Sequence, residues 1–323
     1  MEFFKYTKPY RFMGRSKLAL AISIVFILAS YALLATKGLN YGIDFAGGTI
    51  VQVKYEKAAP IQQMREKLKQ NKVFADASIT EFGSIDEVII RMKTSSKNVE
   101  QDVGDVIKKQ LEGTGKFEIR RVDMVGPKVG GELREKGLMA MFLAIASILV
   151  YVAFRFEWRF AVASIFALVH DVSIAMGFIS FFGVDVNLDV LAALLTLLGY
   201  SLNDTIIVFD RIREGIVRSK EVTLENIIDE SITKTLSRTT LTSLTTFFVV
   251  LTLFLFGGEI IYAFSFTMLV GIIVGTYSSI FVASPILMWL GFDVKGYREK
   301  LALKAKAQAE KEKMRSQFES GVV

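Results

Sequence analysis

The stretch "LLTLLGYSLNDTIIVFDRIREG", Leu194–Gly215, is apolar enough to lie in a membrane, yet it carries Asn203-Asp204 inside it and ends in a dense charged run. A carboxylate at such a position is expensive, by roughly 2.5–3.5 kcal/mol on insertion scales, and is usually kept for a pathway, a relay or a partner charge. Whether the segment crosses a bilayer therefore decides both the fold and the function.

Composition favours a membrane protein: 52 % of the 323 residues are hydrophobic and 12 % are aromatic, above what a soluble domain of this length needs. Runs of about 20 weakly charged residues, enough to cross a roughly 30 Å hydrocarbon core, are Leu18–Ala35, Leu138–Phe154, Phe160–Phe182, Leu188–Phe209, Leu241–Phe256 and Ile260–Leu290. The fifth is the shortest. The sixth is long enough to tilt or overrun its span. The first follows a basic segment and ends in "ASYALLA", but its apolar run exceeds the 7–15 residues of a signal peptide, so its retention is expected.

Lys and Arg set the orientation. Lys5, Lys8, Arg11, Arg15 and Lys17 precede the first span, Arg155 and Arg159 flank the second turn, and Arg211, Arg213, Arg218, Lys220 and Lys234 fill the fourth-to-fifth loop, whereas 183–187 and 257–259 hold none. Both termini are expected to be cytoplasmic, with the charged tail from Lys295 beside them. The formal charge of +6 follows from that asymmetry and from anionic lipid headgroups, so nucleic acid is not an expected partner. The absence of cysteine excludes disulfides and thiol chemistry without naming a compartment.

Roughly a hundred residues, 37–136, separate the first two spans and should fold as an extracytoplasmic domain. "GGTIVQVKYE" alternates as a strand, and "PIQQMREKLKQN" places Ile61, Met64 and Leu68 at helical spacing. "ASITEF" and "DEVIIRMK" read as strands around Gly83-Ser84. "NVEQDVGDVIKKQLEG" aligns Val99, Val103, Ile107 and Leu111, and "FEIRRVDMV" closes as a strand. The order is βαββαβ, the ferredoxin-like arrangement. The domain has no His or Cys and shows nothing catalytic.

Its flanks, "GLNYGIDFAGGT" and "MVGPKVGGELREKG", are dense in glycine. Gly42, Gly47, Gly48, Gly126, Gly130 and Gly131 read either as joints between the domain and the membrane bundle or as ordinary turns. Neither flank has the Gly-Lys-Ser/Thr ending of a nucleotide loop.

Polar residues inside the spans are the site candidates. His170-Asp171 lie near the middle of the third span, where a lone membrane histidine is either a relay or a helix-to-helix hydrogen-bonding group, with Asp171 placed to fix its tautomer. Asn203-Asp204 lie in the cytoplasmic half of the fourth. Arg238 stands where the fifth begins, within "TKTLSRTTLTSLTT". Because the fourth span runs inward and the fifth outward, Asp204 and Arg238 are expected to meet, as either a proton switch or a structural ion pair. Asp210 and Arg211 read as interfacial anchors.

The motifs "YGIDFAGGT", "VGPKVGGELREKG", "ALVHDVSIAMG" and "GYSLNDTIIVFDRIRE", in this order and with one domain after the first of six spans, resemble the SecF family over Gly38 to about Pro285. The resemblance implies half of a resistance-nodulation-division-type transporter that pairs with SecD. It implies use of the proton-motive force, with protons as coupling ion and no cofactor or metal, to assist exported polypeptides through SecYEG in the bacterial inner membrane. YidC and YajC are further partners implied in this way. It places the family's intramembrane aspartate on Asp204 and its arginine on Arg238, and implies a further carboxylate from SecD. Fused SecD-SecF chains also exist in the family; at 323 residues the separate form is expected. A proton-coupled small-molecule exporter half is the alternative, although such exporters carry about twelve spans. An intramembrane aspartyl protease would need Tyr-Asp and Gly-x-Gly-Asp, where this chain has "VHD" and "LND"; no enzyme activity is expected.

Overall fold

In the computed structural model, residues 9–71, 74–75, 77–92, 103–218 and 223–319 are described. Lys5, Lys8, Val99 and Lys220, used in the sequence reading, lie outside them. A 3-10 turn, Met13–Arg15, leads into α1 (Ser16–Thr36). The short α2 (Ile43–Ala46) follows, and then β1 (Gly48–Tyr55), α3 (Ile61–Lys69), β2 (Ser78–Phe82), β3 (Ser84–Met92), α4 (Val103–Gln110) and β4 (Phe117–Val125). The remainder is helical: α5 (Pro127–Arg155), α6 (Trp158–Phe182), α7 (Leu188–Arg218), α8 (Leu224–Phe256), α9 (Gly258–Ser278), a π-helical turn (Ser279–Ala283), α10 (Ser284–Trp289) and α11 (Val294–Glu319).

Among the described residues, six helices are long and apolar enough to cross a membrane: Met13–Thr36, Pro127–Arg155, Trp158–Phe182, Leu188–Arg218, Leu224–Phe256 and Gly258–Trp289. The apolar runs are found, but the helices outlast them. α8 begins 17 residues before Leu241 because Glu225, Asp229, Glu230 and Lys234 end the hydrophobic run without breaking the helix; such residues are ordinary helix formers on a wet surface. The sixth span loosens into π geometry just before Pro285, whose ring nitrogen has no hydrogen to donate. Ser284 Oγ returns a 3.1 Å bond to Ser279 O across that turn.

The βαββαβ order is realised as one antiparallel sheet, β2-β3-β1-β4, with β1 paired to both β3 and β4. Val51, Val53, Val88 and Ile90 on one sheet face bury against Met64, Leu68, Ile107 and Leu111 of the two helices, the period-2 and period-3.6 faces meeting in one core. The opposite face looks onto the ends of α6, α7 and α9 across a cleft of about 620 Å³ bordered by Gln52, Arg91, Asp123, Asp185, Asp189 and Glu259.

In the bundle, α6, α7 and α9 are central and α1, α5 and α8 more peripheral. Close crossings are made by small residues, as lipid-embedded helices require when no hydrophobic effect drives them together. A Cβ on Gly275 would stand 3.1 Å from Ser201 Cβ, and one on Gly271 would run into Leu197. Gly177 leaves room for Ser30 of α1, whose Cα would lie 2.9 Å from an added Cβ. On the far side, Arg298 Nε of α11 donates a 2.5 Å bond to Ile216 O and so closes the last turn of α7.

Candidate functional site

Three buried carboxylates occupy the described part of the bundle. Asp229, near the start of α8, accepts the Met13 N–H at 2.9 Å; the other two, Asp171 and Asp204, lie deeper along their helices, and their surroundings differ. Asp171 of α6 is fully enclosed and completely partnered. His170 Nδ1 lies 2.8 Å from its Oδ1, while Ser201 Oγ of α7 and Ser278 Oγ of α9 donate to its Oδ2 at 2.5 and 2.8 Å. The other ring nitrogen of His170, Nε2, is 3.1 Å from Ser23 Oγ of α1. Tyr277 stacks on the imidazole, centroid to centroid 6.2 Å, and donates its phenol to Ala19 O at 2.7 Å. An ionised Asp171 would make Nδ1 the proton-bearing nitrogen of the ring. The cluster ties α1, α6, α7 and α9 together through groups that would otherwise be orphaned in a dry interior.

Asp204 lies three residues after Ser201 on α7 and is 1 % exposed, but it is only half partnered. Ser243 Oγ of α8 donates to its Oδ2 at 3.1 Å, and Thr276 Oγ1 of α9 donates to Ser243 at 2.8 Å. Among the described residues, Oδ1 has no hydrogen-bond partner, nor has the buried Thr239 Oγ1 of α8.

The expected meeting of Asp204 with Arg238 is not made. Arg238 is exposed, as is Asn203. The reason is angular rather than axial: five residues separate Arg238 from Ser243, so their side chains project about 140° apart around α8 at 3.6 residues per turn. Asp210 and Arg213 form an interfacial pair at 2.7 Å, while Arg211 pairs with Glu214.

The glycine-rich flanks do not hang loose. Gly47, at φ +76°, would bring a Cβ to 2.8 Å from Pro127 Cα, a Cβ on Gly48 would meet Met92 O, and one on Gly130 would lie 3.0 Å from Gly47 N. Gly42 packs on Asn187, at 3.2 Å by the same test, whereas Gly126 and Gly131 face open space. The two flanks therefore seat on each other. Asp44 extends the seat to α7: its Oδ2 accepts the Leu188 N–H at 3.0 Å and caps that helix beside Asn187 Oδ1, which accepts from Val190 N at 3.1 Å.

Sequence reading found the two carboxylates but not Ser23, Ser201, Ser243, Thr276, Ser278 or Tyr277. Only Ser243 had a signal, its place in the hydroxyl-rich run 233–246, and that crowding does not by itself say which face touches Asp204.

Comparison with known proteins places this arrangement. The family described as "Protein export membrane protein SecD/SecF, C-terminal" matches residues 106–293, more than half of the chain, and the "SecD/SecF GG Motif" matches residues 32–59. The protein translocase subunit SecF of Helicobacter pylori (strain 26695) is 49 % identical over the whole length of both chains. The chain belongs to the SecF family. SecF of Vibrio alginolyticus is 46 % identical, covering 90 % of this chain and 92 % of its own. Among solved structures, SecDF of Thermus thermophilus superposes with a TM-score of 0.78 at 35 % identity, covering 89 % of this chain and 39 % of that one. A SecDF structure in a "super-membrane-facing form" gives 0.67 at 33 % identity, over 94 % and 41 %. The chain thus spans about two fifths of the SecDF chains and all of the Helicobacter relative. Membership of the family makes it a protein-transport component of the translocase, and the glycine seat at 42–48 falls within the GG motif.

Proposed function

We propose that this SecF-family chain pairs with SecD in the cytoplasmic membrane and uses the proton-motive force to assist translocation of exported polypeptides through SecYEG, with protons as its coupling ion and no cofactor. In this reading both termini are cytoplasmic and the ferredoxin-like domain lies outside.

The observation that carries the reading is Asp204: a buried carboxylate in a membrane helix with one oxygen unpartnered. What approaches the open oxygen, whether a cation, a water or nothing, sets which charge state Asp204 can hold. A small relative movement of α7 and α8 therefore decides its charge, and each change of charge feeds back on their packing. His170-Asp171, saturated with donors, holds the helices against which that movement occurs. The exposed Arg238 and Asn203 supply the face toward SecD, whose helices would provide the missing half of the bundle and the further carboxylate. The glycine seat at Gly47 and Gly130 is the joint about which the external domain turns against the bundle.

Export into membrane vesicles energised by a proton gradient tests this. Asp204→Asn keeps size and hydrogen bonding but removes titration, so it should co-purify with SecD and lose gradient-driven export. Arg238→Met should also lose it. Wild-type export by Asp204→Asn would reject the proton role.

A further inference from the structure

The half of α8 that contains Asp204's partner presents an unusual buried face. Ser231, Thr235, Thr239 and Ser243 recur every four residues and are all buried, at 2, 9, 2 and 6 % exposure. Four residues of helix advance about 6 Å and rotate about 40° beyond a full turn, so these hydroxyls form a gently winding line over about 18 Å. α7 and α8 run antiparallel along it. Ser243 bonds Asp204 at one end, and at the other a Cβ on Gly215 would stand 3.2 Å from Ser231 Oγ. That register sets the apolar Val208 and Ile212 of α7 between Asp204 and Gly215, so the α8 hydroxyls are the polar side of the seam.

Each end has a function-bearing neighbour. Ser243 touches the half-partnered carboxylate. Ser231 borders an open pocket of about 200 Å³ lined by Arg211, Glu214, Glu230 and Lys234, where ions and water have access. Arg238 is the last charged residue before the uncharged run Thr239–Phe256, so only Thr239 and Thr235 separate Asp204's partner from the charged end of the helix.

Hydroxyl stripes also arise because small residues let helices pack closely, and by itself the spacing would mean no more than that. Thr239 goes further. Ser231 and Thr235 donate back to carbonyls of their own helix, Ile227 O at 2.7 Å and Ser231 O at 3.0 Å, the usual resolution for such a residue in a helix. Thr239 Oγ1 does not, and among the described residues it is left buried without a partner, as is Asp204 Oδ1. Thr239 lies one turn before Ser243, which holds the other oxygen of Asp204, so the two open hydrogen-bonding positions belong to one seam.

We propose that Ser243, Thr239, Thr235 and Ser231 form the route by which a proton leaves Asp204 along the α7–α8 seam to the charged pocket at Ser231. This rests on Asp204 being the proton carrier. Successive rungs are about 6 Å apart, the span of two hydrogen bonds through one water. In the step itself the O–H bond of the neutral Asp204 carboxyl breaks and a water held by Ser243 and Thr239 takes the proton. The proton passes from that water to waters held by the Thr235 and Ser231 oxygens and on to the water of the charged pocket, each water giving up one O–H bond as it gains another, and Asp204 is left as the carboxylate. Ser231 and Thr235 take part as acceptors, since donating to a backbone carbonyl leaves their oxygen lone pairs available.

The test compares three variants in the assembled complex with SecD, reading proton uptake and gradient-driven export. Thr239→Val preserves shape and removes the hydroxyl; it should slow both about tenfold with assembly unchanged. Thr239→Ser restores the hydroxyl and should recover most of the rate. A wild-type rate in Thr239→Val, or equal loss in both variants, overturns the route. Asp204→Asn is the reference: if it runs at the wild-type rate, the proton-carrier reading fails on its own account and takes the route with it. Because the chain has no cysteine, hydration can be read without transport. Thr235→Cys and Thr239→Cys should react with a small cationic methanethiosulfonate from the side of the termini, and Leu241→Cys on the exposed face should not. Failure of both rung positions to react from that side also overturns the proposal.

Discussion

Ser201 Oγ donates a 2.5 Å hydrogen bond to Asp171 Oδ2 across the α6–α7 interface, one of three donors that this carboxylate gathers from three helices. A buried acid so completely partnered acts as a clamp: removing it strands His170, Ser201 and Ser278 together. Asp171→Ala should destabilise the bundle by about 3 kcal/mol, the range for breaking a buried charged network, and Asp171→Asn by less. Thermal unfolding of the purified complex in detergent measures this. An unchanged midpoint in Asp171→Ala would remove the clamp from the account.

Glycines of the seat divide by what surrounds them. Gly47 combines φ +76° with a Cβ position 2.8 Å from Pro127 Cα, so Gly47→Ala should cost more than about 1 kcal/mol from the left-handed backbone alone. Gly131 lies in α5 with nothing near it, and Gly131→Ala should be neutral or stabilise by up to about 1 kcal/mol through helix propensity. The same unfolding measurement applied to both variants checks the contrast, and equal effects would contradict the packed seat.

Within the ferredoxin-like domain, the Tyr55 phenol shares a 2.8 Å hydrogen bond with Thr114 Oγ1. Burial pushes its pKa above the ordinary value of 10.0, with the Thr114 bond opposing. The folded domain thus holds this proton more tightly than the unfolded chain. Its stabilising share is complete below about pH 10 and is lost as pH rises through the folded value. Tyrosinate absorbance should show one late-titrating phenol fewer in Tyr55→Phe than in the parent chain, Tyr297 being, among the described residues, the other phenol that burial pushes up; titration identical in the two proteins would refute the assignment.

Much of this architecture is legible in the sequence, because burial writes its period there. Val51 and Val53 alternate with Ile50 and Gln52, and the sheet shows that alternation as two faces. The spans are visible as apolar runs for the same reason. Helix ends are not, since α8 continues through Glu225 to Lys234 on charged residues that solvate the helix rather than end it. Nor is the rotation of one helix against another. Arg238 and Asp204 were matched by depth, but the contact goes to Ser243 because a helix face turns by about 100° per residue. The hydroxyl partners of Asp171 come from α7 and α9, which are separated from it by 30 and 107 positions in the chain. No local pattern records such a meeting.

Orientation follows from the loop charges and has a direct check. Glu81 lies at the β2 end of the ferredoxin-like domain and Ser316 in α11, both on described elements. With cysteines introduced singly, Glu81→Cys should react with a membrane-impermeant thiol reagent applied to intact cells stripped of their outer barrier. Ser316→Cys should react only after permeabilisation. The reverse pattern would invert the topology.

Coupling between proton and exported chain requires that α8 move something outside the membrane. The hairpin joining β2 and β3 stands over the turn between α8 and α9: Glu81, Gly83, Ser84 and Ile85 face Phe254, Leu255, Gly258 and Tyr262 across a pocket of about 380 Å³. The helix whose Ser243 holds Asp204 is thus the helix whose far end lies under the ferredoxin-like domain. Ser243 and Phe256 are 13 residues apart, about 20 Å of rigid helix, so a shift at Asp204 arrives at the hairpin with little loss. The domain's other attachment, the glycine seat at Gly47 and Gly130, acts as the fulcrum. Cysteines at Ser84 and Leu255 joined by a bifunctional thiol reagent should therefore arrest gradient-driven export while leaving assembly with SecD intact, and reversal of a cleavable linker should restore it. Full export with the link closed would show that the domain does not need to move against α8.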